Sequence, residues 1–324
     1  MAAGLGTRLR PFTDLEPKAL LPLLGIPMAQ FALRALRGVG VNEVVANVHH
    51  HARRASDGLR ALDPALLISD ESAELLGSAG GIRQARDNYP ETLGREPFFL
   101  LNSDVVSDVD LRALSARHAK LRDQWGVRVT LTVFPRPVGA GKYREIFFDH
   151  ESGLISRLGE VVANRPYFVG AAVIEPEALA EVPASGPAEF VPTILAPAIR
   201  DRKAGVYFAS GLWFDVGSPE LWLETHLEMI RRMETGDLPR EWRVQIEAEN
   251  LRVAQEVWVR RGQHLRTSDR SQWVGPCYCD PRRASLPKVL GPRAVQYGGT
   301  SKGLANGVSM DDLFWEASHL PTQS

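Results

Sequence analysis

One short stretch near the start constrains this chain more than any other part: Ala2-Ala3-Gly4-Leu5-Gly6-Thr7-Arg8-Leu9-Arg10-Pro11-Phe12-Thr13, followed by Pro17-Lys18-Ala19-Leu20-Leu21-Pro22. Glycines at 4 and 6 let the backbone approach an anion closely and aim successive N–H groups at it. Arg8, Arg10 and Lys18 bring cations to the same piece of chain. Together they make a cradle for a polyphosphate. Spacing excludes two common glycine loops. No Gly-Lys-Ser/Thr closes a Walker A loop, and Leu9 stands where a dinucleotide fingerprint needs its third glycine.

A phosphate cradle needs a sheet behind it, and 324 residues at 44% hydrophobic content supply one large core and a smaller appendage. The formal net charge of −1 offers no global basic field, so neither nucleic acid nor an anionic membrane is an expected partner. No run of eighteen apolar residues and no signal-peptide order occurs, which makes the cytoplasm the expected location.

Apolar spacing predicts a helix over residues 28–38 and a strand over Val41–Val48. Leu66–Ser69 reads as a further strand leading into the glycine-rich turn Leu76-Gly77-Ser78-Ala79-Gly80-Gly81, whose opening backbone groups suit a base edge. The apolar run Phe98–Leu101 carries Asp104 just beyond it, where open sheets bind ligands and where Mg²⁺ would find its first carboxylate. A helix follows over Leu111–Gln124 and a strand over Val127–Phe134. Phe190–Ile199 is expected to be helical, with Pro192 in the first turn and Pro197 kinking or ending it. Pro219 starts a helix running to about Thr235. The fold class read from this order is α/β, a doubly wound, Rossmann-like, mostly parallel sheet.

The opening stretch resembles the signature of the sugar-phosphate nucleotidyltransferases, the NDP-sugar pyrophosphorylases, whose pattern reads A-A-G-x-G-T-R-L-x-P-x-T and then P-K-x-L-x-P. Leu76–Gly80 is similar to their L-G-T-A-G turn, with Ser78 for threonine, and Asn102-Ser103-Asp104 to their N-G-D. Gly211–Glu220 resembles G-x-W-x-D-I-G-T-P-E and brings Asp215 to the second metal-binding position. The resemblance implies attack of a sugar 1-phosphate on the α-phosphate of an NTP. Arg8 and Lys18 would be catalytic; Ala3, Gly4, Gly6, Thr7, Gly77 and Ser78 would bind nucleotide; Glu160 and Gly170 would bind sugar phosphate; Asp104 and Asp215 would hold Mg²⁺. Asn47-Val48-His49 and the tail look most like mannose-1-phosphate guanylyltransferases, which use GTP. Uridylyltransferases for N-acetylmuramate or glucose phosphate come second, and a non-catalytic NDP-sugar-binding paralogue is a third reading.

Besides Ser78 and Ser103, the chain departs from the family in three further places. Arg144 replaces a glycine, and Val161-Val162 stands where the family's second phosphate-binding lysine would be; Lys142 and Arg144 read first as solvated charges, with replacement of that lysine as the alternative. Family members place an apolar central strand ahead of the glycine loop, and here Met1 stands at its end, which leads us to expect a start assigned too far downstream.

Residues 1–235 read as the nucleotidyltransferase domain and 236–324 as a small β-rich, β-helix-like appendage. Short apolar pairs alternate there with turns at Gly262, Trp273–Pro276 and Val289–Pro292, and the expected role is packing or homo-oligomerisation. Cys277 and Cys279 lack the further ligands of a zinc site, and their separation along a strand, roughly 6.6 Å, is too wide for a disulfide. His49-His50-His51 is read as a helix start, not a metal site, since consecutive residues do not converge on one ion.

Overall fold

The computed structural model describes residues 1–134, 143–162, 167–261, 275, 277–280, 293–297, 304, 307–310 and 313–316. Its strands in chain order are β1 (Pro22–Leu23), β2 (Ile26–Pro27), β3 (Val45–Val48), β4 (Leu67–Asp70), β5 (Phe98–Leu101), β6 (Val105–Ser107), β7 (Val129–Phe134), β8 (Tyr143–Phe148) and β9 (Ile155–Val162). They continue with β10 (Tyr167–Ile174), β11 (Ala204–Phe208), β12 (Trp213–Asp215), β13 (Asn250–Ala254), β14 (Val257–Arg260), β15 (Cys277–Asp280), β16 (Ala294–Tyr297), β17 (Gly307–Met310) and β18 (Leu313–Glu316). The α-helices are α1 (Phe12–Leu15), α2 (Met28–Gly38), α3 (Ala52–Leu62), α4 (Gly77–Asn88), α5 (Pro90–Leu93), α6 (Leu111–Trp125), α7 (Ala196–Arg200), α8 (Pro219–Thr235) and α9 (Arg240–Glu249). The chain is mixed α/β.

Helix ends follow local chemistry. Asp110 caps α6 by accepting from Ala113 N at 3.0 Å, and Ser218 caps α8 by accepting from Leu221 N at 3.3 Å with Pro219 in the first turn. Gly126 and Gly236 close the same two helices in the left-handed conformation.

Two expectations are corrected. The strand predicted over Val41–Val48 is confined to Val45–Val48: the Arg37 guanidinium takes the carbonyls of Val41 and Asn42 at 2.8 and 2.6 Å, in place of a strand partner. The helix predicted over Phe190–Ile199 is a π-helical turn over Val191–Leu195 followed by α7. Pro197 has no N–H to donate, and the wider turn falls just before it.

The chain divides into two compact units, one of Met1–Leu5 with Ala29–Phe214, the other of Gly6–Met28 with Asp215–Ser324. In the first, β3 pairs in parallel with β4, and a four-stranded sheet has the order β11-β7-β10-β5. β11 runs parallel to β7, whereas β10 is antiparallel to both β7 and β5. β8 and β9 form a hairpin, and β6 pairs with β12. One core cluster joins Val129, Leu131 and Val133 of β7 to Ile194 and Leu195; another gathers Leu114, Tyr167, Val173 and Trp213.

In the second unit β14, β15, β16 and β17 are parallel neighbours, with antiparallel β13 and β18 at the two ends. The β1–β2 hairpin is embedded in this unit: Asn250 Nδ2 donates to Leu24 O at 2.9 Å, Arg260 Nη1 to Gly25 O at 3.0 Å and Trp222 Nε1 to Pro22 O at 2.9 Å. Cys277 and Cys279 are buried free thiols on β15. The turns expected at Gly262, Trp273–Pro276 and Val289–Pro292 lie, Gly275 apart, outside the described residues. Among the described residues no helix is long and apolar enough to cross a membrane.

Candidate active site

The cationic loop is built inward from Leu9 and Phe12, both fully buried, the Phe12 ring meeting Trp222 edge-on at 5.1 Å. Gly6 has φ +62°, and a Cβ on it would lie 2.7 Å from Thr13 Cγ2, so glycine is required by both conformation and space. Its carbonyl accepts from Leu9 N at 2.8 Å and from Thr13 Oγ1 at 2.9 Å, closing the 3₁₀ turn Thr7–Leu9. With Leu9 pinned inside, Thr7 and Arg8 face outward. Arg10 pairs with Asp14 at 3.1 Å, which takes one of the loop's three cations into a surface ion pair.

Arg8 and Lys18 stay with the loop. A Cβ on Gly6 would touch Lys18 Cβ at 3.4 Å, and one on Gly217 would lie 2.9 Å from Arg8 Nη2. Only a residue without a side chain lets the Arg8 guanidinium lie against the turn that follows Asp215. Gly6, Thr7, Arg8, Lys18 and Asp215 therefore belong to one compact unit, with Asp215 half-buried at the end of β12.

Ala3, Gly4, Gly77, Ser78, Asp104, Glu160 and Gly170 belong to the other. Ala2 N donates to Asn47 Oδ1 at 2.8 Å, Asn47 Nδ2 to Glu71 Oε1 at 2.6 Å, and His49 Nδ1 to Glu71 O at 2.7 Å. Burial raises the Glu71 carboxyl above its ordinary range, against the Asn47 hydrogen bond. Sequence reading assigned no role to this Asn47–Glu71 pair beneath the loop. Its one signal was a polar Asn47 within the apolar run of β3. His51, with φ +51°, precedes α3 as a helix-start residue.

Gly77 and Ser78 are held from below. Ser78 Oγ donates to Glu189 Oε2 at 2.7 Å and accepts from Phe190 N at 2.8 Å, while Ala79 N and Gly80 N both donate to Ala188 O. The N–H groups at 79 and 80 thus fasten the turn to residues 188–190.

Asp104 is half-buried just beyond β5. Gly170, at φ +79° in an irregularity of β10, accepts from Asn102 N at 2.8 Å, and a Cβ there would lie 3.1 Å from both Asn102 Nδ2 and Val105 Cγ2. Gly170 thereby shapes the turn that carries Asp104. Glu160 lies exposed on β9, away from that turn in sequence, and the neighbouring Arg144 donates to Gly159 O at 3.1 Å. Lys142 is outside the described residues. Among the described residues no three His, Cys, Asp or Glu side chains cluster as a metal cage. Magnesium chemistry needs none, since one or two carboxylates suffice when phosphate and water complete the octahedron.

Comparison with known proteins accords with this geometry. The family described as nucleotidyl transferase matches residues 1–232. A probable mannose-1-phosphate guanylyltransferase 2 of Oryza sativa subsp. japonica is 29% identical over 250 residues, 74% of this chain and 66% of that protein. The chain thus spans just under two thirds of the guanylyltransferase's length. An N-acetylmuramate alpha-1-phosphate uridylyltransferase of Caulobacter vibrioides is 32% identical over 231 residues, 68% of this chain and 91% of that protein. Among solved structures, UDP-glucose pyrophosphorylase complexed with UDP-glucose aligns with TM-score 0.57 at 18% identity, over 71% of this chain and 97% of that one. HddC from Yersinia pseudotuberculosis, complexed with GMP-PN, gives 0.54 at 18% over 70% and 96%.

Proposed function

The chain belongs to the nucleotidyl transferase family, and on that premise we propose that it transfers a nucleotidyl group from an NTP to a sugar 1-phosphate, giving an NDP-sugar and pyrophosphate. A phosphate oxygen of the sugar 1-phosphate forms the new bond to the α-phosphorus as the bond to the β-phosphate oxygen breaks. Charge builds on the phosphoryl oxygens, so placed cations carry most of the rate.

The observation that carries this reading is the contact of Arg8 with the Gly217 turn beside Asp215, within one compact unit. Arg8 would hold the departing pyrophosphate and Lys18 the phosphates at the reacting centre. Asp104 and Asp215 supply hard oxygen donors of the kind Mg²⁺ takes, and the ion, when bound, would neutralise charge on the phosphates. Residues 1–235 would carry the chemistry, while residues 236–324 would serve packing or homo-oligomerisation in a cytoplasmic enzyme.

GTP with mannose 1-phosphate is the first pair to test. UTP with N-acetylmuramate 1-phosphate is the second, favoured by the 91% of the Caulobacter protein that this chain covers. Asn47 and His49 are engaged with Glu71 and Ala2, so the segment that suggested guanine carries little information about the base. Pyrophosphate release measured across GTP, UTP, dTTP, CTP and ATP with a panel of sugar phosphates decides between them. Asp215→Ala should lower turnover on the best pair by about 10² to 10³. Near-normal turnover in that variant would overturn the assignment, and no release with any pair would favour a non-catalytic binding protein.

A further inference from the structure

Lys18 is tied to the β1–β2 hairpin by two short links. It opens a 3₁₀ turn over Lys18–Leu20, and its carbonyl accepts from Leu21 N at 3.1 Å. Leu21 O in turn accepts from Met28 N at 3.0 Å, which closes the hairpin just past that turn. A shift of the hairpin therefore shifts the Lys18 backbone. At the tip, Leu24 and Gly25 take φ +48° and +80°, the conformation of a tight two-residue connection. Two strands of two residues each do not hold such a hairpin by themselves. The hold comes from elsewhere in the same compact unit.

Residues beyond 235 grip the hairpin at tip and base. Besides the bonds of Asn250 to Leu24 O and of Arg260 to Gly25 O, the Tyr297 hydroxyl reaches Pro22 O at 3.1 Å and accepts from Gly25 N at 3.4 Å. The gripping groups are themselves braced. The Tyr278 hydroxyl donates to Asn250 Oδ1 at 3.1 Å, the Tyr297 ring stacks on Trp222 with centroids 5.8 Å apart, and His226 Nε2 lies 2.5 Å from the Tyr297 hydroxyl. Asn250, Tyr278, Tyr297 and His226 are all buried. Even the tip is shaped to this grip, since a Cβ on Gly25 would lie 2.8 Å from the Tyr278 hydroxyl. Apolar packing tolerates a slide of one surface over another; directional bonds at both ends of a hairpin do not.

We propose that Tyr297 and Asn250 are positioning residues for nucleotidyl transfer, which through the hairpin fix Lys18 where it meets the phosphates. The proposal rests on the role given to Lys18 above, and it gives residues after 235 a part in the reaction that packing or homo-oligomerisation alone does not. Displacing a group that works on the transition state costs rate steeply, up to about 10² for 1 Å. Tyr297 and Asn250 act through Lys18 and leave the chemistry to it.

The test measures kcat and KM on the best pair of nucleotide and sugar phosphate in Tyr297→Phe and Asn250→Ala, each alone and combined with Lys18→Ala. Tyr297→Phe keeps the ring on Trp222 and loses only the hydroxyl, so its fold should survive, and Tm reports whether it does. Val259→Ala is the control: Val259 is buried in the same six-stranded sheet, in the cluster of Cys277, Cys279 and Ala294. Both hairpin variants should lower kcat about tenfold with KM for the NTP held within about twofold. In the Lys18→Ala background they should change kcat by less than about twofold. Val259→Ala should lower Tm by roughly 4 °C and leave kcat as it was. Unchanged kcat in Tyr297→Phe, a tenfold loss that persists without Lys18, or the same loss in Val259→Ala would overturn the proposal and leave the nucleotidyl-transfer reading intact. No pyrophosphate release by the unaltered chain with any pair would overturn that reading and this proposal with it.

Discussion

Each compact unit holds a desolvated basic group, and the two sit in different surroundings. His226 sits in an aromatic nest of Trp222, Tyr278 and Tyr297, with ring centroids 5.6 to 6.2 Å away. Its Nδ1 donates to Trp222 O at 2.8 Å, and its Nε2 lies 2.5 Å from the Tyr297 hydroxyl, which also reaches Pro22 O at 3.1 Å. Burial pushes the pKa down to about 4, against the Trp222 hydrogen bond. The Met1 nitrogen is part-buried, donates to Leu101 O at 2.6 Å and lies at a cavity lined by β3 and β5. The sheet of β13 to β18 joins six strands, whereas the described strands of the first unit fall into a four-stranded sheet and smaller pairs. One base is enclosed by aromatic rings and the other lies at a cavity, and in both desolvation outweighs the groups that favour the charge.

The contrast breaks most visibly in core deletions. Trp222→Ala removes a fully buried ring from the closed unit and should cost about 3–5 kcal/mol by denaturant unfolding; a loss under about 1 kcal/mol would show that this core is not tightly packed.

Acid titration sharpens it next. His226 takes a proton near pH 6.5 when unfolded and only near 4 when folded, so its contribution to stability is lost as pH falls through that window. The loss should total roughly 3 kcal/mol and vanish in His226→Phe. His118, whose pKa burial also lowers, adds in the same direction and persists in that variant.

Met1 acts higher on the scale. Its amine is protonated below pH 8 in the unfolded chain and below about 6 in the folded one, so stability should rise by roughly 2–3 kcal/mol from pH 6 to 8. Acetylating that nitrogen should flatten the slope; an unchanged slope would mean that the amine is solvated. The smallest effect is expected for Leu33→Ala, which trims a wall of an existing cavity and should cost about 2 kcal/mol or less. A cost equal to that of Trp222→Ala would erase the difference between the units.

The candidate site was proposed from residue order. The glycine loop, the cations at 8 and 18, Asp104 beyond an apolar strand and Asp215 before Gly217 could all be picked out, because each depends on neighbours within a few positions. The fates of the individual polar groups were not. Arg10 turned to Asp14, and the Ser78 hydroxyl went to Glu189, 111 residues away. Asn47 turned out to support Ala2 and Glu71, which no motif marks.

By itself, the sequence determined the local pieces. Ser218 and Pro219 start α8 and Gly236 stops it, Asp110 and Gly126 bound α6, and Gly6 is demanded by its own turn, since caps and turn conformations are satisfied by groups next to one another. Tertiary structure alone decided which residues share a unit, and it set the loop residues Gly6–Met28 with the chain after Asp215. It also decided that Gly217 makes room for Arg8 and that Met1 bonds with Leu101 and Ser103. Contacts between groups a hundred or more residues apart depend on where sheets and cores bring the backbone, which no local pattern encodes.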